Sequence, residues 1–194
     1  MEAASDILTD LGLPLQPTST FRTRCDGDFH AKGRFHRITH STRESSVQHF
    51  VLYPLSFSSL AWSEVTKQAP YHIRPSVRCP NIFVPRPSAI YASLIRIMLN
   101  YPRYCSTRTN LESDLSELIG YHFLGLENGY VDSDDDALWE GLEIEQRITD
   151  AVLLVRQWSW DREWREDEEW IGDVLAAVVN GSGGNDIENL PYKS

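Results

Sequence analysis

The sequence holds little that announces a chemistry. It has only three cysteines, Cys25, Cys79 and Cys105, an odd and sparse set that excludes a disulfide framework. No uninterrupted apolar run approaches the roughly 18 residues of a membrane span, and the apolar stretch AIYASLIRIML stops short and contains Arg96. The opening MEAASDILTDLGLP carries Glu2, Asp6 and Asp10 but no basic start and no long apolar centre, so it does not have the layout of a secretory signal. These absences point to a reducing compartment, cytosol or nucleus, in which the sequon Asn180-Gly181-Ser182 stays unmodified. The enzyme motifs G-x-S-x-G, the P-loop, G-x-G-x-x-G and H-E-x-x-H are missing as well. Catalysis is left open, with the balance toward a non-enzyme. There is no internal repeat.

What is present is a globular composition: 194 residues, 41% hydrophobic and 11% aromatic, enough to bury a core without staples. The charge is unevenly divided. Residues 1–109 hold 13 Lys/Arg against 7 Asp/Glu, a net of +6, and residues 110–194 hold 5 against 21, a net of −16. Such asymmetry speaks to partners, or to one half docking on the other, and not to fold.

Two textures meet near Pro87. Before it, Phe29–Thr39 alternates with a basic face, Ser41–Ser46 has turn composition, and 47–57 suggests a returning strand. Residues 20–25 can supply a third strand, and prolines 54, 70, 75, 80, 85 and 87 keep the chain extended or looping. After Pro87 the period becomes helical. Ser88 can cap an almost wholly apolar helix halted by Pro102. Thr109 and Glu112 have capping-box spacing before a helix lined by Leu111, Leu115, Leu118, Ile119 and His122. A third helix is expected over 137–158, with Leu138, Leu142, Ile148, Ala151, Val152 and Val155 inside. A fourth starts from Ser159 or Asp161 and ends near NGSGGND. The expected fold is α+β: a small antiparallel sheet in the N-terminal half packed with about four C-terminal helices. The divisions are a partly ordered segment 1–19, a basic β-rich region 20–87, an acidic helical region 88–180 and a flexible tail 181–194. Residues 20–180 can also form one domain.

Four groups of residues are candidates for function. Asp132, Asp134, Asp136, Glu140 and Glu143 have the spacing of EF-hand positions 1, 3, 5, 9 and 12, and this twelve-residue stretch resembles that calcium loop. Ala137 stands where the sharp turn needs glycine, however, and no second hand is visible. An acidic helix start explains the same residues and is preferred, so no cofactor is expected, with calcium the alternative. Cys25, His30, His36 and His40, with His49 and Cys79 farther away, can be assembled into a zinc set, but no close cysteine pair supports it.

The third group is basic: Arg22, Arg24, Lys32, Arg34 and Arg37, interleaved with Phe29 and Phe35, suits phosphate contact and base stacking. The fourth is WSWDREWREDEEW, with Trp158, Trp160, Trp164 and Trp170 set among acids; its charges require at least one indole near the surface, as interfaces favour. The leading expectation is a non-enzymatic module that binds a protein partner through these charged and Trp-rich surfaces. Nucleic-acid binding through the basic strands is the first alternative, and a metal-dependent enzyme or calcium-responsive protein the second. No membrane contact is expected.

Overall fold

A computed structural model of the chain describes residues 1–16, 27–38, 48–68, 82–125, 137–182 and 190, with side chains in the long helix described from Glu143 onward. The fold is α+β. Helix α1 spans Glu2–Asp10 and α2 Asp28–Lys32. Strands β1 (Arg34–Arg37) and β2 (His49–Leu52) pair antiparallel, with Phe35 opposite Val51. A single helical turn, α3 (Leu55–Ser58), and a 3-10 turn at Trp62–Glu64 lead to a second antiparallel ribbon, β3 (Val65–Gln68) with β4 (Ile82–Pro85). Then follow α4 (Pro87–Met98), α5 (Ser106–His122), α6 (Ala137–Trp160) and α7 (Trp170–Ala177), the last continued by a π-type turn at Val178–Ser182.

Helix α4 is the centre of the molecule. Pro87 starts it, its fixed φ and missing N–H costing nothing at a first helical position. Because the helix is apolar nearly all round it is buried nearly all round: Ala89, Tyr91, Ala92, Ile95, Ile97 and Met98 belong to the core. Against it lie Leu111, Leu115 and Ile119 of α5, Ala151, Val155 and Trp158 of α6, and Ile171 and Leu175 of α7. The i, i+4 spacing of the α5 trio matches the expected face. His122 ends that helix exposed, with its Nδ1 3.0 Å from the buried Tyr91 hydroxyl.

Three local expectations need correction. Phe29–Thr39 is not one strand, since residues 28–32 form α2 and only 34–37 are extended. Gly27 causes the difference. Its φ of +53° reverses the chain tightly against α5, where a Cβ would lie 2.8 Å from the Thr107 backbone nitrogen. The basic face of that strand is broken too, because His30 and His36 are buried. The fourth helix begins not at 159–161 but at Trp170, after an irregular segment in which Arg162 and Asp167 take positive φ. Its side chains make ion pairs and core contacts that a continuous helix would point elsewhere. Finally, neither expected N-cap is one: α5 begins at Ser106, three residues before Thr109, and Ser88 does not cap α4. It is buried and donates to Glu163. Residues 20–25, 41–46 and 70–81 lie outside the described residues.

Arg108 shows how the helices are tied. It is fully buried on α5, pairs with Glu112 one turn on at 2.7 Å, and donates to the Met98 carbonyl at 3.1 Å and the Leu190 carbonyl at 3.0 Å. Leu190 is itself in the core. A guanidinium this enclosed is tolerated because its fork is occupied on several sides. Arg108→Ala is expected to lower stability by about 3–5 kcal/mol in urea denaturation, the usual cost of leaving a buried charge and buried carbonyls unpaired. Arg108→Lys should restore only part of it, because an ammonium cannot reach three separated acceptors in one plane.

Candidate functional site

The long helix α6 carries two apolar rows. Ala151, Val155 and Trp158, at i, i+4, i+7, face the core, with Ile148 and Val152 half-buried beside them. The second row faces out. Leu153 is 52% exposed, Leu154 37% and Trp160 75%. With Asp150, Gln157 and Asp161 these residues line a shallow groove of about 560 Å³. The six positions fall within one arc at 100° per residue. One helical turn before it, Gln146 donates to Asp150 at 2.8 Å, and Glu143 pairs with Arg147 at 3.7 Å. The surface is therefore an apolar strip set between carboxylates.

The four tryptophans separate by environment. Trp158 and Trp164 are core residues whose rings meet edge to face at 6.0 Å. The Trp164 indole N–H donates to Ser159 Oγ at 2.9 Å, and Gly172 lies so close below that an added Cβ would sit 2.8 Å from that nitrogen. Trp170 is half-buried and packs against the core. Trp160 alone of the four stands in solvent.

Beside this face the irregular segment 161–169 is anchored by a nearly buried charge cluster that sequence reading missed. Glu64, 3% exposed at the foot of the β3–β4 ribbon, meets Arg96 of α4 at 2.8 Å and Arg165 at 2.6 Å. Arg96 also holds Glu168 at 2.5 Å, and Arg165 donates to the Ser59 carbonyl at 2.7 Å. Two guanidiniums and two carboxylates balance. Burial would raise the Glu64 carboxyl, but hydrogen bonds from Arg165, the Ala61 N–H and Arg96 outweigh it and hold the group below its ordinary value. Nearby, Arg86 pairs with Glu163 at 3.4 Å. Basic side chains of the first half thus do meet acids of the second, through α4 and its start.

Of the remaining candidate residues, Lys32 and Arg37 are exposed, and Arg34 is paired with Glu2 at 3.5 Å. Arg22 and Arg24 lie outside the described residues, as do Asp132, Asp134 and Asp136 of the acidic loop; the Glu140 side chain does too. Glu143 is exposed in its pair with Arg147. Of the histidine and cysteine set, Cys25, His40 and Cys79 also lie outside. His36 has both ring nitrogens engaged, Nε2 with Ser5 Oγ at 3.0 Å and Nδ1 with the Leu13 carbonyl at 2.8 Å. Among the described residues no group of three or more His, Cys, Asp or Glu is placed to hold a metal.

The Ser5–His36 pair has the hydrogen-bond pattern of a nucleophile and base, since an Nδ1–H donated to Leu13 leaves Nε2 to accept from the hydroxyl. Its exposures, 3% and 0%, leave no access for a substrate. Its effect is to fasten α1 to β1. Among the described residues no helix is long and apolar enough to cross a membrane. Comparison of the chain with protein-family models, curated proteins and solved structures found no match.

The Glu64 cluster yields a pH prediction. Its folded carboxyl titrates below the unfolded one, so its contribution is present above the ordinary value of 4.5 and is lost as pH falls through the depressed folded value. Glu64→Gln should lower the melting temperature at pH 7, and the gap from the parent protein should shrink on acidification below pH 4.5. Thermal melts of both proteins across that range check it. A gap independent of pH would mean that the carboxylate charge contributes nothing.

Proposed function

We propose that the protein is a non-enzymatic interaction module that docks a protein partner on the outer face of α6. The observation that carries this reading is the exposed row Leu153, Leu154 and Trp160 on a helix already supplied with an inward apolar face. The core does not need these three side chains, and solvent does not favour them. Contiguous exposed apolar surface of this kind is typical of binding sites, and tryptophan is the side chain most often found to dominate an interface.

Charge selects the partner. Asp150 and Asp161 flank the strip, and the chain beyond residue 109 has a net charge of −16. A second copy of the same face would set carboxylate against carboxylate. A cationic amphipathic helix, with leucine-like anchors at i, i+3 or i+4 and i+7 and Lys or Arg beside them, suits both the strip and its rim. The nucleic-acid reading has less support, because Arg34 is engaged with Glu2, and His30 and His36 of the same stretch are buried and add no surface charge. The sparse cysteines favour a setting in the cytosol or nucleus.

A synthetic cationic amphipathic helix is the probe. Calorimetric titration should give saturable binding that weakens with salt. Leu153→Asp with Trp160→Ser should reduce affinity at least about thirtyfold, as loss of a central anchor does, while changing stability by no more than about 0.5 kcal/mol. Absence of binding, or binding untouched by the double substitution, would overturn the reading. So would binding to a mixed RNA and DNA pool that requires Lys32 and Arg37 and ignores α6.

A further inference from the structure

A second concavity, built from other residues than the α6 face, lies where the first ribbon meets α5. Phe29 of α2, Phe35 of β1 and Tyr53, just after β2, form one side; Asn110, Ser113 and Asp114 form the other, and the space between is about 340 Å³. The α5 residues are spaced i, i+3, i+4 and so share one helix face. The two sides are held together by specific bonds. The Asp28 N–H donates to Thr107 Oγ1 at 2.8 Å, and the Tyr101 hydroxyl donates to the Asp28 carboxylate at 2.9 Å. Gly27 allows that close approach of α2 to α5.

The two walls do not match each other. On the ring side, Phe29 meets Tyr53 at 6.0 Å and 80°, and Phe57 stands behind both with centroids 5.4 Å from each. Aromatic walls of this kind ordinarily close on apolar side chains. Here they face an amide, a hydroxyl and a carboxylate. No ion pair among the described residues neutralises Asp114. Although its side chain reaches the open rim, desolvation raises the carboxyl above its ordinary value, and Glu117 raises it further. The cleft sets aromatic rings, whose quadrupoles attract positive charge, opposite a carboxylate that has no counter-charge among the described residues; Phe35 is also flanked by His30 at 4.8 Å and His49 at 6.1 Å.

We propose that this cleft binds an alkylated ammonium group, through cation–π contact with Phe29, Phe35 and Tyr53 and charge pairing with Asp114. An alkylated cation fits better than a bare ammonium because its methyl groups need no hydrogen bonds and its shell of water is easily shed against the rings. The open rim accepts either a free quaternary amine or a methylated lysine presented by another protein. The site does not rest on the α6 reading.

The test is an NMR titration of the full chain that follows the ring protons of Phe29, Phe35 and Tyr53. The probes are choline, its neutral carbon isostere 3,3-dimethylbutanol, and a short peptide carrying either lysine or trimethyllysine. The expected result is saturable shifts with choline or the trimethyllysine peptide, at least about tenfold tighter than with the isostere or the unmodified peptide. Choline binding alone assigns a free amine; preference for the methylated peptide assigns a modified partner. Asp114→Asn and Tyr53→Leu should each weaken binding about tenfold, and the unchanged shifts of core residues such as Leu115 would establish that the variants fold. Equal affinity for choline and its isostere would reduce the site to an apolar cleft and overturn the proposal, as would no shift with any probe.

Discussion

The structure turns on one arginine. Arg96 sits on a helix otherwise built of apolar and small side chains, and burying its charge is affordable only because Glu64, earlier in the chain, and Glu168, later in it, both pair with it. Burial opposes the charge, and the two carboxylates more than restore it. Glu64 is shared with Arg165, so the foot of the second ribbon, the central helix and the irregular segment 161–169 close as a unit. None of the three can move without breaking at least one of these ion pairs at a poorly solvated site. That constraint explains why a run of acids and tryptophans that looks helical is instead laid flat across α4.

The division of labour between tryptophans follows from the same constraint. Trp158 lies on the buried arc of α6, and Trp164, carried inward by the segment after it, meets it edge to face. Trp160, two residues on from Trp158, falls on the opposite side. Spacing alone does not assign these roles, because the helix ends between Trp160 and Trp164 and the angular count stops there. The four indoles in thirteen residues therefore serve two purposes, closing the core and presenting one ring to solvent.

Sequence pattern carried the helices well and the sites poorly. The apolar α4, the Leu111–Leu115–Ile119 face and the start of α6 at Ala137 follow from period and composition, whereas the expected caps at Ser88 and Thr109 are not caps. The small N-terminal β-structure was legible in kind, although it is two ribbons and the pairing of 65–68 with 82–85 was not foreseen. What pattern could not carry was anything made by distance. Glu64 and Arg165 are 101 residues apart, and Asp28 and Thr107 are 79 apart. Neither pair leaves a local trace. The polar wall of the aromatic cleft was nearer to hand, since Asn110, Ser113 and Asp114 at i, i+3 and i+4 share one arc of α5 beside its apolar face. A single glycine, Gly27, overrode the alternation that suggested a longer strand.

The same long reach has a consequence for the chain during its synthesis. Arg96 and Arg108 emerge well before some of the residues that receive them, Glu168 lying 72 positions after the first and Leu190 82 after the second. Until those positions leave the ribosome, the Arg96 guanidinium has only Glu64 as a carboxylate partner, and α4 lacks the residues of α6 and α7 that complete its core. Completion of the helical part thus waits for synthesis to pass residue 190, and its nascent form is the kind of exposed apolar segment that chaperones hold.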